Sequence, residues 1–193
     1  MKMEHNKQTI VVNLYGGPGC GKSTGAAYIF SKLKMMGIDT EYVSEFAKDK
    51  TWENNSEVFN NQLYISGKQS FKLSRCVGKV DVIVTDSPLL LGIIYNNTQK
   101  EDNINGLNNY INGLNDALLS IYAKYDNINI VLKRSKPYNS NGRSQTEEES
   151  KTIDAYIRWM LGDNNIPYIE ENGDEDGYNR IVSIIANKLK EKS

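Results

Sequence analysis

The stretch VVNLYGGPGCGKSTGAAYIF, Val11 to Phe30, passes from an apolar run through four glycines in six residues to a segment of helical character. Within it GGPGCGKS, Gly16 to Ser23, fits G-x-x-x-x-G-K-[ST] without exception. Glycines let successive backbone N–H groups turn inward around a phosphate, and the N-terminus of the following helix adds unsatisfied donors and partial positive charge. In this pattern Lys22 is expected to reach the β- and γ-phosphates of a nucleotide and Ser23 to ligate Mg²⁺. Gly16, Gly17, Pro18, Gly19, Cys20, Gly21 and Thr24 complete the expected nucleotide cradle, with Cys20 at an unconstrained position and read as a bystander.

Outward from that cradle, five short runs have the β-branched, apolar character of buried parallel strands: Thr9 to Tyr15, Asp39 to Ser44, Asp81 to Asp86, Ile128 to Lys133 and Ile166 to Glu170. Helical stretches separate them. Gly37 stands where the first helix should be capped, and Ile104, Leu107, Ile111, Leu114, Leu118, Ile121 and Tyr125 mark one side of a long helix. Thr146 to Glu149 has the pattern of a capping box. Strands alternating with helices predict an α/β fold: a five-stranded parallel sheet with helices on both faces, the three-layer P-loop NTPase arrangement. Ligands in such sheets bind outside the carboxyl ends of the strands, so function turns on the residues just past each strand.

At 193 residues and 39% hydrophobic, the chain suits one domain spanning residues 1–193. A net charge of −1 gives no chain-wide basic field for non-specific nucleic-acid binding. Cys20 and Cys76 are the only cysteines and His5 the only histidine, which excludes a zinc site of soft ligands and fits a reducing, cytoplasmic compartment. The opening MKMEHNKQ lacks the apolar core of a signal peptide, and no run approaches the ~18 apolar residues of a membrane helix. A soluble protein with no membrane partner is expected, and a homo-oligomer stays open.

Three further constellations carry chemistry. VIVTDSPLL places Asp86 at the end of the third strand, where a carboxylate can support Mg²⁺; the alternative is a cap for a helix with Pro88 in its first turn. YVSEFAKDK places Glu45 just past the second strand, where it could take the proton from an attacking hydroxyl. After the fourth strand, Lys133, Arg134, Lys136 and Arg143 crowd a loop rich in Pro, Asn, Ser and Gly, and a basic lid over about residues 134–147 is expected to neutralise charge on the transferring group.

Taken together, YGGPGCGKST, EFAKD, NQLYISGKQ, VIVTDSPLL and KPYNSNGRSQTEEE resemble the P-loop nucleoside and nucleotide kinases. They are most similar to the ribosylnicotinamide-kinase-like ATPases, a group that includes many phage-encoded proteins. The resemblance implies that Lys22 and Ser23 bind nucleotide and metal, that Asp86 supports Mg²⁺, that Glu45 sits beside the acceptor, and that Arg134 and Arg143 belong to the lid. An Asn-rich insert over about residues 96–116 has no counterpart in it. The function expected is transfer of the γ-phosphoryl of Mg-ATP to a hydroxyl of a nucleoside-like small molecule, with nicotinamide riboside as one candidate. Two alternatives stay open: a nucleoside monophosphate kinase, or a P-loop kinase acting on nucleic acid such as a hydroxymethylated base. SEFAKDK offers no arginine for an acceptor phosphate, only Lys48 and Lys50.

Overall fold

Strand β1, Ile10–Tyr15, is buried along its whole length and forms the centre of the sheet. The computed structural model describes residues 7–53, 56–98, 107–135 and 146–192. Four more strands come later in the chain: β2 Thr40–Val43, β3 Val82–Thr85, β4 Asp126–Lys133 and β5 Ile169–Asn172. They lie in the order β2-β3-β1-β4-β5, all parallel, with Val12 aligned on Val84 of β3 and on Ile128 of β4. The helices are α1 Lys22–Met35, α2 Phe46–Trp52, α3 Gln62–Ser74, α4 Leu91–Thr98, α5 Leu107–Tyr122, α6 Glu147–Asp163 and α7 Glu175–Glu191, with a 3₁₀ turn at Ser56–Asn60.

Alternation along β1 divides the core. Ile10, Val12 and Leu14 pack with Ala26, Ile29 and Leu33 of α1 and with Ile181 and Ile185 of α7. Tyr15, on the opposite face, joins Leu90, Ile94, Leu118, Ile157 and Leu161 from α4, α5, α6 and the turn before α4. Each such aliphatic side chain contributes about 1.5–3 kcal/mol of burial. The expected three-layer fold is therefore present.

Local signals behave as their chemistry requires. Gly37 adopts φ 78° just beyond α1, and the N–H of Ile38 returns to Leu33 O at 3.0 Å, which closes the helix end. Thr146 and Glu149 form the reciprocal capping box that opens α6. The last strand differs from expectation: Ile166 is drawn to the end of α6, its N–H on Leu161 O at 2.8 Å, and Asn165 takes φ 53° in the turn before it. Pairing with β4 begins only at Ile169, opposite Ile130. The alternative reading of Asp86, as a cap with Pro88 in the first helical turn, is not what forms: α4 starts at Leu91, and the Asp86 oxygens accept from Tyr42 and from the Glu45 N–H.

The Asn-rich stretch is in part core structure. Its described residues close α4 and open α5, and Asn96, 1% exposed, donates to Asn115 Oδ1 at 3.0 Å. Residues 99–106 within it lie outside the described residues. Among the described residues no helix is long and apolar enough to cross a membrane.

Candidate active site

The turn from β1 to α1 is shaped by glycine backbone. Gly21 takes φ 95° as the N-cap of α1, and among the described residues no side chain caps that helix. Its first-turn N–H groups are the kind of donors that an anion at a helix N-terminus would satisfy. Lys22 folds back over the loop, its Nζ donating to Gly16 O at 2.6 Å and Gly17 O at 3.2 Å. Burial opposes the charge on this ammonium, but the field of Cys20, Tyr95, Glu45 and Asp86 outweighs it and raises its pKa. Cys20 is 2% exposed and packs into the α1/α7 core. The Ser23 and Thr24 side chains stand exposed at the first turn of α1.

Across the cleft, the ends of β2 and β3 supply two carboxylates. Asp86 is 3% exposed; its Oδ2 accepts from the Tyr42 hydroxyl at 2.8 Å and its Oδ1 from the Glu45 N–H at 3.2 Å. The next N–H, that of Phe46, donates to Gln69 Oε1 at 3.0 Å, so α3 helps fix the start of α2. Burial raises the Glu45 pKa, Asp86 adds to the rise, and Lys22 and Lys48 oppose it. Burial, with the fields of Asp86 and Glu45 added, pushes the Tyr42 phenol up, and a bond to Ser23 works the other way. Tyr95 of α4 is shifted upward by burial and interacts electrostatically with Lys22 and Glu45.

Lys22, Ser23, Glu45 and Asp86 thus converge at the carboxyl edge of the sheet. Arg134 lies instead on the outer side of the cradle, against Pro18 O at 2.7 Å and Asp154 Oδ2 at 2.9 Å. Lys133 pairs with Glu170 at 3.0 Å along the sheet edge. Lys136 and Arg143, with the expected lid between residues 136 and 145, lie outside the described residues. Tyr42, Gln69, Ser150 and Asp154 are additions that sequence reasoning missed. On α3 the buried face is made of Gln62, Ser66, Gln69 and Leu73, three of them polar, a composition that reads as solvent-facing in the sequence.

A family model described as an AAA domain matches residues 11–177. The chain belongs to that family. The matched span includes the cradle, Glu45, Asp86, Arg134 and Asp154. No curated protein matches the chain in sequence. Among solved structures, deoxyadenosine kinase from M. mycoides with bound dATP is similar at 22% identity and a TM-score of 0.58, covering 93% of this chain and 99% of that one. The same enzyme with the products dCMP and a flexible dCDP bound gives 19% identity and a TM-score of 0.57, covering 94% and 99%. At these identities the likeness establishes the fold, an α/β P-loop arrangement with a five-stranded parallel sheet.

Proposed function

We propose that this chain, as one kinase domain over residues 1–193, transfers the γ-phosphoryl of ATP to a hydroxyl of a nucleoside-like small molecule. The observation that carries the proposal is Glu45, a half-buried carboxylate held by its own backbone to Asp86 and electrostatically coupled to the cradle lysine. An elevated pKa suits a carboxylate to proton abstraction near neutral pH. On this reading the acceptor oxygen bonds to the γ-phosphorus, the bond from that phosphorus to the β–γ bridging oxygen breaks, ADP leaves, and the acceptor's proton passes to Glu45.

Mg²⁺ fits the residues present. The Ser23 hydroxyl, the Tyr42 hydroxyl and the Asp86 carboxylate form a set of hard oxygen groups, and Mg²⁺ prefers one or two carboxylates together with substrate phosphates. No group of three or more His, Cys, Asp or Glu side chains among the described residues forms a metal cage, which such a shared site does not need. Ser23 and Asp86 would hold the ion, which when bound would neutralise phosphate charge.

Gln69 of α3, whose Oε1 accepts from the Phe46 N–H, stands next to the proposed base. A nucleoside or nicotinamide riboside offers the hydroxyl that such a base would deprotonate. The named activity of the structural neighbours, deoxyadenosine kinase, supports a nucleoside over a polymer. The monophosphate-kinase alternative is disfavoured by Glu45, which repels a phosphate acceptor, and by Lys50, already paired with Glu53 at 2.5 Å.

The test is purified protein with Mg-ATP and a panel of nucleosides, nicotinamide riboside, mononucleotides and modified DNA, read by product mass. Phosphorylation of a nucleoside-like compound is expected, and Lys22→Ala should slow it by ~10²- to 10³-fold, as for loss of one transition-state charge stabiliser. Unchanged transfer in Lys22→Ala would overturn the kinase reading.

A further inference from the structure

The outer wall of the phosphate cradle is gripped by residues that lie more than a hundred positions away in sequence. The Gly17 N–H donates to Asp154 Oδ1 at 2.5 Å. Arg134 binds the other oxygen of that carboxylate through Nε at 2.9 Å and Nη2 at 2.9 Å, and its Nη1 donates to Pro18 O at 2.7 Å. Ser150, fully buried in the first turn of α6, receives Arg134 Nη2 at 2.5 Å and donates to the same Pro18 carbonyl at 2.5 Å. Every nitrogen of the Arg134 guanidinium is engaged, and the Arg134 and Asp154 side chains are 17% and 15% exposed. A Cβ at position 17 would collide with the Ser150 carbonyl and stand 2.8 Å from Arg134 Nη2, so this close approach requires glycine.

The Gly17 residue is thus held from two directions. Its N–H faces outward to Asp154, while its carbonyl faces inward to Lys22 Nζ at 3.2 Å. A glycine-rich loop loses much backbone entropy when it takes one shape, and Gly16, Gly19 and Gly21 all sit at positive φ in this one. Charge-assisted bonds from a rigid helix lower that cost before a ligand arrives. Asp154 takes the Gly17 N–H and Arg134 and Ser150 take the Pro18 carbonyl, while the Cys20 N–H turns back onto Gly17 O at 3.4 Å.

We propose that Asp154, acting through Arg134 and Ser150, is a positioning residue that sets the shape of the phosphate cradle and hence its affinity for nucleoside triphosphate. Arg134 then serves as a fixed part of this clamp and not as a mobile cation over the transferring phosphoryl group. The inference rests on the reading that the cradle takes a triphosphate.

The experiment titrates the full chain calorimetrically with the magnesium complex of a β,γ-imido analogue of ATP, and monitors hydrogen exchange at Gly17 in the free protein. Asp154→Asn and Arg134→Lys are each expected to weaken the analogue by about 10-fold or more, and the double variant by little more than the worse single one, as for residues acting as a unit. Turnover at saturating nucleotide should change by less than about 3-fold, because the clamp acts on binding shared by ground and transition states. Gly17 exchange should accelerate in Asp154→Asn. Ser150→Ala, which removes a single hydroxyl, should give a smaller shift of the same kind if the other variants fold poorly. Additive losses, or a fall in turnover of about 10² in Arg134→Lys with analogue affinity intact, would overturn the clamp in favour of direct charge stabilisation. Absence of analogue binding by the unmodified chain would instead refute the triphosphate reading, and Gly17 exchange would still report on the clamp.

Discussion

The Glu45 N–H donates to Asp86 Oδ1 at 3.2 Å, so the group assigned to accept a proton is held in place by the carboxylate that ends β3. Tyr42 occupies the other oxygen of Asp86, which leaves that side chain one preferred orientation. Asp86→Asn keeps an oxygen for the Glu45 N–H but loses the charge proposed to support Mg²⁺. We expect a loss of turnover of about 10²-fold or more, with a raised Mg²⁺ requirement, by analogy with removing one electrostatic stabiliser. Tyr42→Phe should cost less, roughly 10-fold, since it removes one hydrogen bond and no charge. Magnesium titrations of both variants read the difference, and an unchanged Mg²⁺ requirement in Asp86→Asn would remove the residue from the metal site.

Glu45 makes a prediction about pH as well as rate. As a base it works ionised, and its pKa in the folded chain is above the ordinary value of 4.5. Turnover should therefore fall as pH drops through that raised value, giving an acid limb above the usual glutamate range. Glu45→Gln should abolish the limb and slow the chemical step by roughly 10²- to 10⁴-fold, with nucleotide affinity nearly constant. The linkage sign is opposite for stability: the folded chain binds this proton more readily than the unfolded chain does, so ionised Glu45 costs stability above the folded pKa. Glu45→Gln should accordingly unfold no more easily than the unmodified chain at neutral pH. Near-normal turnover in this variant would favour a monophosphate acceptor, which is already ionised and needs no base.

The glycine-rich turn, the five strands along the chain and the positions of the two carboxylates were legible because each is carried by a local pattern: GGPGCGKS, a short β-branched run, or an acidic residue directly after one. Asp154 was not legible. It sits among the charged and polar residues of α6, and its partner Gly17 is 137 positions away. Gln69 was hidden for a related reason, since a glutamine on a helix reads as solvent-facing until the packing of α3 buries it. The start of β5 was misplaced because Ile166 is apolar whether it joins a ladder or closes a helix, and here it packs beside α6.

Tyr15 tests a structural feature away from the chemistry. Its ring is fully buried on the α4/α6 side of the sheet, and its hydroxyl has no partner among the described residues. Burial, with a contribution from Tyr122, holds the phenol well above its ordinary pKa, so it stays neutral through the accessible pH range. Tyr15→Phe removes an unpaired polar atom while keeping the ring, and stability should rise by about 1 kcal/mol or stay level. Urea unfolding measures this; a loss of more than about 1 kcal/mol would mean that the hydroxyl is bonded in solution.

Gly25 makes the last case, because here two opposing effects have comparable size. Alanine in a helix interior is favoured over glycine by about 1 kcal/mol, which alone predicts that Gly25→Ala stabilises α1. The added Cβ, however, would lie 2.5 Å from Cε1 and 3.1 Å from Cζ of Tyr178, a ring 3% exposed between α1 and α7. Relieving that overlap moves the ring, and with it the Tyr178 hydroxyl that donates to Gly21 O at 3.0 Å beside the cradle. Overpacking of this kind typically costs about 1–3 kcal/mol, so it should outweigh the helix-propensity gain. We expect Gly25→Ala to lower stability by about 1 kcal/mol and to weaken nucleotide binding, and expect the same change to be harmless or stabilising in a Tyr178→Leu background, where the ring is gone. Urea unfolding of the two single variants and the double variant decides the matter. Stabilisation by Gly25→Ala in the unmodified background would show that the ring yields freely and does not brace Gly21.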